Sequence, residues 1–212
     1  MQKKSIVILI SGNGSNLQAF IEAQKKAHFA GKIVAVFSNK ADAFGLSRAE
    51  SAGIPAITIQ HTDYPSREDF DLALMDKINQ FNPDLIVLAG FMRILTAKFV
   101  AEFRGRLLNI HPSLLPKYPG LHTHKRALEN RDDFHGTSVH FVTEELDGGP
   151  IIARAKTKIN HDDTEEQLVT RIQALEHQLY PNTANLLLNG QIELKQDDVY
   201  FESHKLEQAI VF

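Results

Sequence analysis

The sequence predicts an α/β fold with a doubly wound, mainly parallel sheet. Short apolar runs, such as residues 6–10 and 85–89, are typical of strands buried on both faces. Segments with apolar residues at helical spacing alternate with these runs, as in parallel strands joined by right-handed crossovers. No linker-like segment interrupts the 212 residues. We therefore expect a single domain of two halves, about 1–105 and 106–212.

Composition excludes several classes of protein. Hydrophobic residues make up 43% and charged residues 23% of the sequence, and the net charge is -3. This balance gives no argument for a nucleic-acid or membrane partner. The absence of cysteine excludes disulfides, thiolate nucleophiles and cysteine metal sites. Because the first apolar run is too short for a signal sequence or a membrane span, we expect a cytoplasmic protein, or one of an organelle interior if a targeting segment has been removed.

In the first half, helices are predicted from apolar residues that share one side. The helix after the first strand carries Leu17, Phe20 and Ile21 in this way, and another begins at Ser66 and stops at Asn82-Pro83. Strands are expected at 6–10, 32–38, 55–59, 84–89 and 107–111, and further helices at 43–52 and about 96–104.

The second half begins with a different pattern. Strands at 136–143 and 150–159 are joined by a turn-rich loop, which predicts an antiparallel pair. Thr164 and Gln167 fit a capping box that opens a long helix ending at Gly190. We expect Pro181 to kink or interrupt this helix. A closing hairpin is expected at 192–194 and 199–201.

A glycine-rich turn, Ser-Gly-Asn-Gly-Ser-Asn, occupies residues 11–16 after the first strand. Glycine permits a tight turn and a helix N-terminus offers free N–H groups, so the segment predicts an anion cradle. Ser15 and Gln18 fit a second capping box. The segment matches neither the dinucleotide fingerprint nor the Walker motif. The alternative is a tight turn that needs glycine only for its geometry.

The strand at 107–111 ends in polar side chains. Alternation places Asn109 and His111 on one face, and Pro112 then ends the strand. The following residues, to about 124, are rich in proline and glycine and should form a stiff loop. Ligands of open α/β sheets bind at such strand ends. An amide can donate to an oxyanion and a histidine can transfer protons near neutral pH, so this pair predicts a catalytic site.

Several blocks of sequence stand in an order typical of one family. The blocks are 11–16, 37–42 (Phe-Ser-Asn-Lys-Ala-Asp), 88–95 (Leu-Ala-Gly-Phe-Met-Arg-Ile-Leu), 108–116 (Leu-Asn-Ile-His-Pro-Ser-Leu-Leu-Pro), 135–140 (His-Gly-Thr-Ser-Val-His) and 144–150 (Glu-Glu-Leu-Asp-Gly-Gly-Pro). Through them the chain resembles the phosphoribosylglycinamide formyltransferases, folate-dependent enzymes of purine biosynthesis, over roughly residues 5–190. The resemblance implies the fold of that family and a transfer of formyl from N10-formyltetrahydrofolate to the amine of glycinamide ribonucleotide.

The resemblance also implies roles for particular residues. Asn109, His111 and Asp147 would be the catalytic group. The ribonucleotide would be bound by Gly14, Ser15, Asn16, Gln173 and Glu176, with the first three holding its phosphate. The folate would be bound by Arg67, Met92, Arg93, Ile94, Leu95 and Asn109.

Each of these residues also has a plainer interpretation. Taken alone, Asp147 is typical of a turn before two glycines. Arg67 would be an exposed residue in the first turn of a helix, and Gln173 and Glu176 would lie on a solvated helix face. Met92, Ile94 and Leu95 would belong to the core.

The chemistry of formyl transfer nevertheless suits the catalytic group. Attack of an amine on a formyl carbonyl gives an oxyanion, which Asn109 could stabilise. His111 could protonate the leaving nitrogen, and a carboxylate at Asp147 would favour the protonated imidazole. No enzyme nucleophile and no metal are required.

Four other functions remain open at this stage. A formyltetrahydrofolate hydrolase would use the same residues but carries an extra N-terminal domain. A methionyl-tRNA formyltransferase would need an RNA-binding domain and a basic surface. A non-catalytic folate- or nucleotide-binding module would not need the catalytic group. The last, a metal hydrolase, would need ligands from the set His111, His122, His124, His135 and His140, which lacks carboxylate-rich spacing. We expect small-molecule substrates and a monomer or weak homodimer.

Overall fold

The computed structural model describes residues 3–212. The chain forms two compact units, the first ending at Leu108 and the second spanning Asn109–Phe212. Strands alternate with helices through the first unit, whereas in the second unit several strands follow one another directly.

The first unit is built around parallel strands. Its elements are β1 (Lys4–Ile10), α1 (Ser15–Ala23), β2 (Gly31–Ser38), α2 (Phe44–Ser51), β3 (Ala56–Thr58), α3 (Arg67–Asn79), β4 (Leu85–Leu88) and α4 (Ala97–Glu102). The strands lie in the order β4-β1-β2-β3, and each neighbouring pair is parallel. All of β4 and most of β1 are buried, as expected for apolar strands covered on both faces.

The helices of the first unit bury the apolar faces that the sequence predicts. In α1 the buried side chains include Leu17 and Phe20, and in α3 they include Phe70 and Leu74. Ser66 caps α3 because its hydroxyl accepts the N–H of Asp69 at 3.0 Å.

Strand β5 (Leu107–His111), at the predicted bounds, carries the chain into the second unit. Helix α5 (Thr123–Glu129), β6 (Phe134–Phe141), β7 (Ile151–Lys158), α6 (Glu165–Leu188), β8 (Ile192–Lys195), β9 (Asp198–Phe201), β10 (His204–Lys205) and β11 (Ile210–Val211) follow.

The second unit combines an antiparallel pair with a small separate sheet. Its larger sheet has the order β11-β7-β6-β5, with β6 antiparallel to β7 and β11 parallel to β7. Strands β8 and β9 form the predicted hairpin, and β10 joins them in an antiparallel sheet. The α/β class with mainly parallel strands and an antiparallel C-terminal pair is therefore confirmed.

Helix α5 was not predicted. The expected stiff loop ends where α5 begins, at Thr123, and His122 is its N-cap in the left-handed conformation, with φ 59°. The helix has seven residues and buries only Thr123 and Ala127, so its apolar periodicity is too short to detect.

One predicted capping box is present and the other is wrong. At the start of α6 the hydroxyl of Thr164 accepts the N–H of Gln167 at 3.2 Å, and the Gln167 side chain accepts the N–H of Thr164 at 2.9 Å. At the start of α1 the N-cap is Gly14, with φ 74°, and no side chain caps the helix. Glycine adopts this left-handed conformation easily, so the helix begins at Ser15, one residue earlier than a cap at Ser15 would place it.

Pro181 does not interrupt α6, which runs unbroken from Glu165 to Leu188. A proline removes one helical hydrogen bond. Buried side chains lie on both sides of that position, such as Ile172 and Leu179 before it and Leu188 after it, and this packing offsets the loss. Within residues 3–212, no helix is long and apolar enough to cross a membrane.

We predict that Thr164→Ala lowers the free energy of unfolding by about 1 kcal/mol, because the N–H of Gln167 loses its acceptor. Urea denaturation followed by circular dichroism measures the change. Thr170→Ala is the matched control, since Thr170 is an exposed threonine inside the same helix. An equal loss in both variants would show that capping is not the cause.

Candidate active site

The carboxyl end of β5 meets an inward-pointing aspartate. Asp147 adopts φ 53° and its side chain is only 7% exposed. Two residues later, a Cβ added to Gly149 would lie 1.8 Å from the carbonyl oxygen of Phe141. Only glycine at position 149 therefore lets the loop after β6 pass against the backbone of Phe141. In this arrangement the side chain of Asp147 points toward His111.

The carboxylate of Asp147 gathers three groups. Its Oδ2 accepts the N–H of Gly120 at 2.9 Å and lies 3.3 Å from Nδ1 of His111. Its Oδ1 lies 3.5 Å from Nδ2 of Asn109. The structure thus brings together the three residues predicted to be catalytic, and Asp147 does more than form a turn.

His111 is surrounded by acceptors. Its Nδ1 faces the Asp147 carboxylate, and its Nε2 lies 2.8 Å from the carbonyl oxygen of Tyr118. The carboxylate and the carbonyl oxygen can only accept hydrogen bonds. Both ring nitrogens can donate to them at once in the imidazolium form, in which each nitrogen carries a hydrogen. The ring is therefore placed to hold a proton and to deliver it.

Sequence reasoning missed His140, which orients Asn109. Nδ1 of His140 lies 2.9 Å from the carbonyl oxygen of Phe141, so it carries the ring proton. Burial lowers the pKa of His140, which keeps the ring neutral and leaves Nε2 as an acceptor. Nδ2 of Asn109 donates to that atom at 3.1 Å. The amide nitrogen of Asn109 is thereby fixed on the side of Asp147. The place of His140 at the end of β6 is the signal that could have revealed it.

Helix α2 braces the glycine-rich turn of the first unit. A Cβ added to Gly14 would lie 2.9 Å from the Cα of Gly45, whose N–H donates to the carbonyl oxygen of Gly12 at 3.0 Å. The Arg48 guanidinium donates to the carbonyl and side-chain oxygens of Asn13, both at 2.9 Å. These contacts hold the first turn of α1, which no side chain caps, in the arrangement expected of an anion cradle.

The predicted folate residues other than Asn109 lie in the first unit. Met92 is 67% and Ile94 56% exposed, so the interpretation of these two as core is wrong, whereas Leu95 is buried. Exposed apolar side chains next to one another are typical of a binding surface. Arg67 is exposed in the first turn of α3, with its guanidinium 3.4 Å from the carboxylate of Glu68.

The two predicted ribonucleotide residues on α6 differ. Gln173 is exposed, as a solvated helix face requires, but Glu176 is only 7% exposed. Oε1 of Glu176 lies 3.4 Å from the hydroxyl of Thr137, which donates to the carbonyl oxygen of His111 at 2.9 Å. Glu176 is therefore linked to the backbone of His111 through Thr137, and its assignment to a solvated face is wrong.

The histidines considered as metal ligands are not gathered at one point. His124 and His135 contact each other, with Nδ1 and Nε2 3.2 Å apart, and His140 binds Asn109. In the described part of the chain, no group of three or more His, Cys, Asp or Glu is placed to hold a metal ion.

Comparison with known proteins agrees with this geometry. Residues 4–184 match the family model described as Formyl transferase. The chain belongs to the formyl transferase family. The resemblance that the sequence blocks indicate is confirmed.

This formyl transferase is similar to relatives of nearly its own length. It is 53% identical over 202 residues to the phosphoribosylglycinamide formyltransferase of Escherichia coli (strain K12), covering 95% of each chain. It is 45% identical to that of Haemophilus influenzae (strain ATCC 51907 / DSM 11121 / KW20 / Rd) over 206 residues, 97% of each. The solved structure of the Coxiella burnetii phosphoribosylglycinamide formyltransferase superposes with a TM-score of 0.96 at 48% identity, covering 99% of both chains.

We predict that His135→Gln flattens the pH dependence of stability. Burial, with the neighbouring His124, lowers the pKa of His135 from 6.5 to about 4. Between these two pH values the imidazole is protonated in the unfolded chain but neutral in the folded chain. The contribution of the neutral His135 to the unfolding free energy is therefore fully present above about pH 6.5 and is lost as pH falls toward about pH 4.

Urea denaturation at several pH values across this window measures the slope. The variant should show a shallower loss of unfolding free energy than the parent. His28→Gln, at an exposed histidine, is the control and should keep the parent slope. If the unfolding free energy of His135→Gln depended on pH as steeply as that of the parent, the lowered pKa of His135 would not be the cause of the pH dependence.

Proposed function

We propose that the chain transfers the formyl group of N10-formyltetrahydrofolate to the amine of 5-phosphoribosylglycinamide, a step of purine biosynthesis. The observation that carries this proposal is the buried contact of the Asp147 carboxylate with Asn109 and His111 at the end of β5. The similarity to phosphoribosylglycinamide formyltransferases over nearly the whole chain supports the same substrates.

The reaction follows from the chemistry of these side chains. The substrate amine attacks the formyl carbon, forming a C–N bond, a tetrahedral oxyanion and a cationic nitrogen. The Asn109 N–H that does not bind His140 donates to the oxyanion, and the imidazolium of His111 donates another hydrogen bond through Nε2 once that nitrogen leaves the carbonyl oxygen of Tyr118. The bond between the formyl carbon and N10 then breaks as N10 gains a proton, and the attacking nitrogen loses one. A water molecule can carry the proton between the two nitrogens.

Asp147 and His140 have supporting roles in this mechanism. The carboxylate of Asp147 orients the His111 ring and balances the charge of the imidazolium. The neutral ring of His140 accepts one N–H of the Asn109 amide, which leaves the second N–H, on the side of Asp147, for the oxyanion. No covalent enzyme intermediate is needed, which fits a chain without cysteine.

The binding residues extend this proposal. The braced turn supports phosphate binding by Gly14, Ser15 and Asn16, and the exposed side chains of Met92 and Ile94 support folate binding. We assign the remaining contacts as the family resemblance implies: Gln173 and Glu176 to the ribonucleotide, and Arg67, Arg93, Leu95 and Asn109 to the folate.

The setting of the enzyme is also part of the proposal. We infer a cytoplasmic enzyme that is a monomer or weak homodimer with small-molecule substrates. Direct transfer requires no metal, and a net charge of -3 offers no attraction to nucleic acid or anionic membranes.

An assay of formyl-folate consumption with and without glycinamide ribonucleotide tests the function. The proposal expects consumption only when the ribonucleotide is present, with equal amounts of formylated product. Consumption without it would indicate a formyltetrahydrofolate hydrolase. Folate binding without turnover would indicate a binding module.

We predict that Asn109→Ala lowers kcat by about 100- to 1,000-fold, the usual cost of one lost oxyanion donor. The fold should survive, because a half-buried side chain at a strand end leaves no large cavity. Steady-state kinetics with circular dichroism measures both effects. Asn189→Ala, at an exposed asparagine after α6, is the control and should keep kcat. An unfolded Asn109→Ala would indicate a structural role instead.

A further inference from the structure

The exposed loop of the first unit, residues 90–95, is held by side chains that the function has not used. It follows β4 and presents Met92 and Ile94 to solvent. Phe91 and Leu95 anchor the loop by burial, but the exposed residues between them have little packing to fix their backbone. Hydrogen bonds from elsewhere in the unit supply the additional restraint.

Ser11 supplies the first of these bonds. Its hydroxyl accepts the N–H of Met92 at 2.8 Å and donates to Oδ1 of Asn39 at 2.6 Å. Because a backbone N–H can only donate, the hydroxyl hydrogen of Ser11 must point to Asn39. The donor and acceptor roles in these two linked hydrogen bonds are therefore fixed. Ser11 and Asn39 are both buried, where such linked bonds strengthen one another.

Asp71 supplies the second bond at the end of the exposed loop. Its Oδ2 accepts the N–H of Thr96, the N-cap of α4, at 2.6 Å. Asp71 is 1% exposed, and its Oδ1 is buried without a hydrogen-bond partner. Burial raises the pKa of Asp71, while the Thr96 bond and the charges of Arg67 and Arg93 oppose that change. Burying a carboxylate with one oxygen unbonded costs free energy. We interpret Asp71 as a residue that holds the backbone of Thr96 in position.

We propose that Ser11 and Asp71 are positioning residues for the folate substrate, acting through the backbone of the exposed loop. This inference rests on the proposed function, which assigns that loop to the folate. Ser11 opens the glycine-rich turn assigned to the ribonucleotide phosphate, yet its hydroxyl serves the other substrate. Neither side chain is proposed to touch a ligand.

Steady-state kinetics with each substrate varied in turn tests the proposal. Ser11→Ala leaves the N–H of Met92 unpaired, so the KM for formyl-folate should rise about tenfold while that for the ribonucleotide changes less than about twofold. Asp71→Ala should produce the same split, and Asp71→Asn, which keeps an acceptor for Thr96, should restore most of the loss.

Ser38→Ala is the matched control, because Ser38 is a buried serine on β2 whose hydroxyl donates to the carbonyl oxygen of Lys40. Both of its KM values should match the parent. Amide hydrogen exchange by NMR should be faster at Met92 in Ser11→Ala and at Thr96 in Asp71→Ala, with the amides of β4 unchanged.

Equal rises in both KM values, or an unchanged formyl-folate KM despite faster exchange, would overturn the proposal. Direct titration with formyl-folate separates this result from failure of the proposed function. If the parent binds formyl-folate without transferring formyl, the function fails, and the loss of affinity in Ser11→Ala and Asp71→Ala still tests positioning. If Asp71→Ala does not fold, Asp71→Asn and Ser11→Ala give the same comparison.

Discussion

The candidate site depends on burying one carboxylate. The two carboxylate oxygens of Asp147 are buried and need hydrogen-bond donors from the protein. The N–H of Gly120 and the side chains of His111 and Asn109 lie next to them. A buried charge is tolerated only when it is paired and hydrogen-bonded, so these groups are drawn to fixed positions around it. The geometry of the candidate site and the stability of the loops are therefore linked through the same atoms.

Close backbone approach is the matching constraint in the first unit. Gly14 and Gly45 are in contact where the turn after β1 meets the start of α2, and neither position has room for a Cβ. The resulting helix start has its N–H groups uncapped by side chains, which suits an anion better than a solvated turn would. Because glycine has no side chain, these two backbone segments can approach each other and fix the start of α1.

The sequence predicts what local chemistry determines and misses what tertiary contact determines. Strand β5 and the cap at Thr164 follow from alternation and capping patterns within a few residues. The start of α1 was misplaced because the left-handed Gly14 replaced a side-chain cap. The role of His140 and the burial of Glu176 depend on neighbours distant along the chain, at Asn109 and Thr137, which no local pattern reveals.

The most direct test of this account asks whether Asp147 and His111 act as one unit. The measurement is kcat at neutral pH for Asp147→Asn, His111→Asn and the double variant, with folding checked by circular dichroism. We expect each single change to lower kcat by about 100-fold or more, and the double variant to be hardly slower than the worse single variant. Losses that multiply in the double variant would show that the two residues act independently and would contradict the account.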